Sequence, residues 1–333
     1  MTNNTAAKII QFIEKKKQAT VHELVEYLGI SRQATHRQLT KLLEKEKLAK
    51  LGKPPKVFYV LADETQVPVQ DWTTYSAAAQ LTSEQQAIIE DRYLYISPFG
   101  EMKTGADGFF YWYNKTGQPV GKTAHEYIQT IKKYDALKKN GVINGMPKFK
   151  STFQKVHLDH IFYLDFYSIE RFGKTKLGQL LLYAKQSQNK ELMRQLVNTA
   201  RPYIHNIIKQ FRITAVGFIP PTVKRETQLV VEFAKRLQLT VPALSITKVT
   251  SDVAVPQKTL SKLDDRIENA RRSIVVTEKK SYKNILLIDD AVGSGATFNE
   301  TARKIKDQHI CSGTVVGLSI TGSYKGFDVI SEV

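Results

Sequence analysis

The chain has 333 residues, 42% of them hydrophobic and 24% charged, which excludes wholesale disorder and gives length for about two domains. Lys and Arg number 49 against 32 Asp and Glu, a net charge of +17 that favours a polyanionic or phosphate-bearing partner over a basic one. The single Cys311 excludes an internal disulfide and a two-cysteine zinc site, and no apolar run or secretory pattern is visible, so the expectation is a cytoplasmic protein without a membrane span.

Charge is concentrated at the amino end, where residues 1–60 hold 12 Lys and Arg against 5 Asp and Glu. Ile9, Ile10 and Ile13 recur near helical spacing. Thr20 with Glu23 three residues later forms a capping-box pattern for a short helix carrying Leu24, Val25 and Leu28, and Gly29 breaks it. Ser31 is the next cap. Ala34, Leu39, Leu42 and Leu43 give that helix an apolar side and leave Arg32, Gln33, Thr35, His36, Arg37, Gln38 and Lys41 for solvent or a ligand. A strand, a basic turn at Gly52–Lys56 and a strand through Val57–Leu61 follow.

The span 1–61 resembles the winged helix-turn-helix family. The resemblance implies that the Ser31-capped helix enters the major groove of double-stranded DNA and that the hairpin lies along phosphate. Carried over residue by residue, Arg32, Gln33, Thr35, His36, Arg37 and Lys41 become base or backbone contacts, and Lys53 and Lys56 phosphate contacts. Winged helices also serve as protein-docking modules, so that alternative stands beside the DNA reading.

Residues 62–82 mix Pro, Thr, Ala and acidic residues without periodicity and read as a linker, with 83–155 as an aromatic intermediate region. A helix is expected over 83–92, then an aromatic strand at Phe109–Tyr113 flanked by glycines. That strand offers either stacking surfaces for single-stranded nucleic acid or a small packed sheet, and packing is the simpler reading. The string His157-Leu158-Asp159-His160 contains metal-ligating types, but alternation along a strand sends neighbours to opposite sides, so no metal site is assigned.

The strongest chemical signal is NILLIDDAVGSGATFN, Asn284–Asn299. Ile285–Ile288 reads as a buried strand, Asp289 and Asp290 stand at its carboxyl end, and Gly293, Gly295 and Ala296 keep bulk out of a turn before Thr297 opens a helix. Backbone amides in such a turn, with the helix amino terminus, suit a terminal phosphate, and the carboxylates suit sugar hydroxyls. No Lys precedes the Ser/Thr as a Walker loop requires. Strands at 213–220, 244–249, 273–276 and 313–320, with a crossover helix after the first, complete an α/β pattern expected to form one parallel sheet.

This element strongly resembles the phosphoribosyl diphosphate loop of type I phosphoribosyltransferases, and similarity to their ComF-like branch covers about 161–333. The resemblance implies a phosphoribosyltransferase-like domain over 156–333. It carries Asp289 and Asp290 to the ribose hydroxyls and Ala291, Val292, Gly293, Ser294, Gly295, Ala296 and Thr297 to the 5′-phosphate. The turn PPTVKRETQ resembles the family's diphosphate loop, which makes Lys224 and Arg225 the neutralising cations and Thr227 a hydroxyl donor. Lys258–Val276 matches its mobile loop through Leu260, Ser261, Arg266, Glu268, Asn269 and Arg271, and implies a lid whose Arg266 faces diphosphate. The family's cysteine-bearing zinc element is absent, and its Arg-rich diphosphate turn is shortened.

The resulting fold expectation is α/β, an amino-terminal winged helix-turn-helix plus a carboxyl-terminal phosphoribosyltransferase-like parallel sheet. The pairing resembles that of the Gram-positive purine repressors and implies a homodimeric DNA-binding transcription regulator sensing phosphoribosyl diphosphate or a nucleotide. Two alternatives accompany it. One is a Mg²⁺-dependent phosphoribosyltransferase, in which the ion bridges diphosphate and ribose oxygens. The other is a ComF-like protein of DNA processing, uptake or defence. No residue stands out as a general base, which weighs against turnover.

Overall fold

The computed structural model describes residues 2–62, 81–114, 119–221, 226–253 and 255–323. The chain has a mixed α/β architecture and divides into two compact units, Met1–Thr73 and Thr74–Val333. Most of the expected linker, 63–80, lies outside the described residues.

The first unit comprises α1 (Thr2–Lys16), α2 (Val21–Leu28), α3 (Arg32–Glu44) and an antiparallel hairpin of β1 (Leu48–Lys53) and β2 (Lys56–Leu61). The local signals act as read. Thr20 Oγ1 accepts from Glu23 N at 3.3 Å while Glu23 Oε2 accepts from Thr20 N at 2.7 Å, so the amino end of α2 satisfies two backbone donors reciprocally. Gly29 ends α2 at φ +64°, and Ser31 Oγ accepts from Ala34 N at 3.2 Å to start α3. Ile9, Ile13, Leu24, Leu39, Leu42, Leu48 and Tyr59 form the buried core, and Ala19 bridges to Tyr59 to tie the α1–α2 junction to β2.

The second unit opens with α4 (Ser83–Arg92), β3 (Leu94–Ile96), β4 (Met102–Thr104), α5 (Gly105–Tyr113), α6 (Val120–Asp135), β5 (Lys138–Lys139), β6 (Val142–Asn144) and α7 (Met146–Thr152). It continues through β7 (His160–Phe166), β8 (Ser168–Ile169), β9 (Gly173–Lys174), α8 (Lys176–Ser187), α9 (Lys190–Gln210), β10 (Ala215–Phe218), α10 (Leu229–Leu237) and β11 (Ile246–Lys248). The last elements are α11 (Leu263–Ser273), β12 (Ile274–Val276), β13 (Ile285–Val292), α12 (Ala296–Asp307) and β14 (Val315–Gly322). Six strands make one sheet in the order β10-β13-β14-β7-β6-β5. The first four are parallel, and β6 and β5 add an antiparallel edge.

Strand alternation divides the core between the two faces of this sheet. Leu286, Ile288, Val316, Leu318 and Ile320 pack with Leu181, Met193, Leu196 and Phe233 from α8, α9 and α10. Ile161, Leu287 and Val315 pack on the other side with Phe149, Phe298 and Ala302 from α7 and α12, and that cluster runs on into α4, α5 and α6. Residues 83–155 therefore share a sheet and a core with the residues that follow. Among the described residues, no helix is long and apolar enough to cross a membrane.

Three expectations change. The aromatic strand at Phe109–Tyr113 is the end of helix α5, because Gly105, Gly108 and Phe109 recur at the three- and four-residue spacing of one buried helical face. Phe109 is buried there against Tyr93 and Tyr127, and Phe110 is buried beside Phe109, which uses both in packing and removes them as stacking platforms. The strands expected at 244–249 and 273–276 leave the main sheet and pair antiparallel with each other as β11 and β12. β13 extends past Ile288 through the acidic pair to Val292, held by β14 through Asp289↔Ser319 and Ala291↔Thr321.

Candidate functional site

The carboxyl ends of four parallel strands are a natural place for a ligand, since the chain turns there into helices and frees backbone donors. At this edge β13 delivers Asp289 and Asp290, and Ala291 and Val292 complete the strand. Only Gly293, Ser294 and Gly295 remain as a turn before α12 begins at Ala296, with Thr297 in its first turn. Gly295 has φ +79°, and a Cβ built on it would come 2.4 Å from Phe149 Cε2, so the residue is fixed by conformation and by space. Ser294 Oγ accepts from Ala296 N, the first amide of α12, at 3.4 Å, and the N-cap residue Gly295 makes no side-chain cap bond. The turn thus presents a helix amino terminus and backbone amides to anything seated over it.

The two carboxyls differ. Asp289 is held well above the usual carboxylate range by burial and by the negative charge of Asp290. Burial pushes Asp290 the same way, but the Lys185 ammonium outweighs it and keeps this carboxyl below its ordinary value. Lys185 and Asp290 form an ion pair whose side chains retain 19% and 13% of their surface. Asp290 N donates to Asp289 Oδ1 at 2.8 Å, fixing one carboxylate oxygen against the backbone. Lys248 on β11 approaches Asp289 closely enough to feel its charge, and burial lowers this ammonium below its usual value. The pair therefore places two carboxyls of opposite proton affinity between two lysines, suited to hydrogen bonding with neighbouring hydroxyls. An apolar recess lined by Phe218, Phe233, Ile288 and Ile320 adjoins it.

Lys185 and Lys248 escaped the sequence reading although both carry a signal. Leu177, Leu181 and Lys185 are spaced by four on the buried face of α8, and Lys248 alternates with Ile246 on one side of β11. A lysine on an apolar face requires a partner, which here is the acidic pair.

The other expected contacts are placed unevenly. Lys224 and Arg225 lie outside the described residues. Thr227 is half-buried and its N–H donates to Gln188 Oε1 at 2.7 Å. Arg266 is corrected: it is 5% exposed, and its Nε donates to Leu260 O at 2.7 Å while Gln257 Nε2 donates to its carbonyl at 2.9 Å. It holds its own segment together and does not face outward. Arg271 on the same helix reaches Glu300 of α12 at 3.4 Å. In the first unit Arg32, Gln33, His36, Arg37, Lys41 and Lys56 are exposed, whereas Thr35 is fully buried with its hydroxyl donating to Ser31 O at 3.1 Å and is removed from the contact set. Lys53 closes the hairpin opposite Lys56. Asp159 accepts from Val315 N at 2.7 Å and Lys306 Nζ at 3.0 Å, a structural tie between strand and helix. No protein-family model matches the chain, and no curated protein matches it.

Proposed function

We propose that the chain is a DNA-binding transcription regulator in which a winged helix-turn-helix unit is governed by a phosphoribosyltransferase-like sensor of phosphoribosyl diphosphate or a nucleotide. The observation that carries this reading is the acidic pair at the carboxyl edge of the parallel sheet, followed by the three-residue turn and the amino end of α12. A 5′-phosphate is favoured by the amides and dipole of that helix end, and ribose hydroxyls by Asp289 and Asp290. Mg²⁺ would be carried by the ligand, since Lys185 already balances Asp290. When bound, the ion neutralises diphosphate. Arg32, Gln33, His36, Arg37 and Lys41 on the exposed side of α3, with Lys56 on the hairpin, supply the cationic and polar contacts for duplex DNA.

Sensing requires only these two surfaces, whereas transfer also requires a bound nitrogen nucleophile that attacks ribose C1 as diphosphate leaves. The test is titration of duplex DNA with and without Mg²⁺–phosphoribosyl diphosphate and a panel of nucleotides. DNA affinity is expected to change with the ligand, and Asp289→Asn to abolish the change while keeping DNA binding. DNA affinity indifferent to every ligand would overturn the sensor. Release of diphosphate with a base acceptor would move the assignment to a transferase.

A further inference from the structure

The amino-terminal edge of the same parallel strands has a different chemistry. Three connections meet there: 211–214 between α9 and β10, 277–284 between β12 and β13, and 308–314 between α12 and β14. Polar side chains knit them into one surface. Asn284 Nδ2 donates to Phe211 O at 2.8 Å, and Asn284 Oδ1 accepts from Thr314 N at 3.0 Å. Thr214 Oγ1 accepts from Lys283 N at 3.1 Å and from Asn284 N at 3.2 Å. Tyr282 N donates to Ile310 O at 2.8 Å, and Ser312 N donates to Tyr282 O at 3.0 Å. A Cβ built on Gly313 would come 2.5 Å from Asn284 Oδ1 and 2.6 Å from Lys283 O, so the third connection closes tightly on the second.

This frame fixes the backbone beneath a group of cations. Lys209, Arg212, Lys279, Lys280 and Lys283 are all exposed, and among the described residues none of them is ion-paired. The acids of this edge are committed elsewhere. Glu278 Oε1 accepts from Lys279 N and Lys280 N, both at 2.9 Å, Asp307 pairs with Arg303 at 2.8 Å, and Asp159 pairs with Lys306 at 3.0 Å. Like charges held on a rigid surface repel one another, and a row of phosphates relieves that repulsion. The rings nearby are used in packing: Phe211 lies against His160 and Phe162, and Tyr282 is half-buried against the core. Binding of unpaired bases relies on open aromatic faces, whereas the backbone of a duplex needs only cations. Asn284 precedes Asp290 by six residues of extended chain, about 20 Å, so this surface is distinct from the acidic pair.

We propose that the amino-terminal edge of the parallel sheet is a second DNA contact, at which Lys209, Arg212, Lys279, Lys280 and Lys283 hold the phosphate backbone of a duplex without reading its sequence. The proposal extends the DNA-binding reading to the second unit and rests on residues other than those of α3. Asp289 and Asp290 take no part in it.

The test is binding of a labelled mixed-sequence duplex, and of its single strand, to the full-length protein over a range of salt. Lys279→Gln with Lys280→Gln and Lys283→Gln is expected to reduce the slope of log affinity against log salt by about 0.9 for each lysine that touches phosphate, about two in all. The same loss is expected on duplexes of unrelated sequence. Lys132→Gln with Lys133→Gln and Arg194→Gln removes equal charge from cations that pair with Glu84, Glu170 and Glu191, and is expected to leave the slope at the parent value. Lys283→Glu alone serves should the triple variant fail a thermal-melt check of folding, with an expected loss of affinity of about threefold or more at low salt. An unchanged slope in the folded variant, an equal drop in the control, or tighter binding of the single strand through the same lysines would overturn the proposal. A slope lowered by the three lysine changes but not by Arg37→Ala with Lys41→Ala would uphold it and remove α3 from the interface instead.

Discussion

The adjacent aspartates at the end of β13 have opposite relations to pH. Asp289 is raised, so between the ordinary aspartate value of about 4 and its folded value the folded chain holds a proton that the unfolded chain has released. Its contribution to stability is present at low pH and lost as pH rises through that window. Asp290 is lowered, so its contribution is present above the ordinary aspartate value and is lost as pH falls. Asp289→Asn is therefore expected to gain thermal stability relative to the parent as pH is raised from about 4 to 8. Asp290→Asn leaves the Lys185 ammonium buried without its carboxylate and is expected to cost about 3 kcal/mol near neutral pH. Thermal and urea melts of both variants across pH check this, and equal stability of the two at neutral pH would contradict the asymmetry. The acidic pair and its glycine turn were legible in sequence because strand, acids, turn and helix are contiguous. Lys185 and Lys248 were not, because each comes from a distant element, α8 and β11, and only tertiary packing brings them to the acidic pair. Thr35 and Arg266 show the converse, polar types at plausible contact positions whose side chains the fold turns inward.

Elements were read best where a local signal dictates the backbone. Capping at Thr20 and Ser31 and the stop at Gly29 define α2 and α3 without any help from tertiary structure. Helix α5 was misread because aromatic residues favour strands locally, while the glycine spacing that buries one helical face decides the outcome only once neighbours pack on it. β11 and β12 share the composition of sheet strands, and composition does not specify the partner. The junction of β13 and α12 is the most constrained of these elements, since Gly295 combines a left-handed backbone with contact against Phe149. Gly295→Ala is expected to destabilise by about 2 kcal/mol, the left-handed conformation of a residue with a Cβ accounting for about 1–2 kcal/mol of it. Adding Phe149→Leu to Gly295→Ala relieves the contact but not the backbone term. In a double-mutant cycle the pair should cost less than the sum of the two single changes, with the remainder matching the conformational part. Strict additivity in urea denaturation would show that the ring does not press on the turn.

Over the whole molecule the charge has two destinations with different physics. In the second unit Lys185, Lys138, Arg92 and Arg303 stand against carboxylates. In the first unit Arg32, Arg37, Lys41 and Lys56 project from a small core into solvent and remain open to a polyanion. If those exposed cations neutralise DNA phosphate, each releases counterion, and the slope of log affinity against log salt falls by about 0.9 for each one removed. Arg37→Ala with Lys41→Ala is accordingly expected to reduce the slope by about two and to weaken binding to every duplex alike, to the extent that both touch phosphate. The core residues of the unit are untouched by either change, so its helical signal and its melting should stay within a few degrees of the parent. Lys132→Ala with Lys133→Ala is the matched control: two cations leave the chain, but in the structure they pair with Glu84 and Glu170. A slope that drops equally in both double variants would mean that net charge alone governs DNA affinity. A drop confined to Arg37 and Lys41 would locate the nucleic-acid contact on the exposed face of α3.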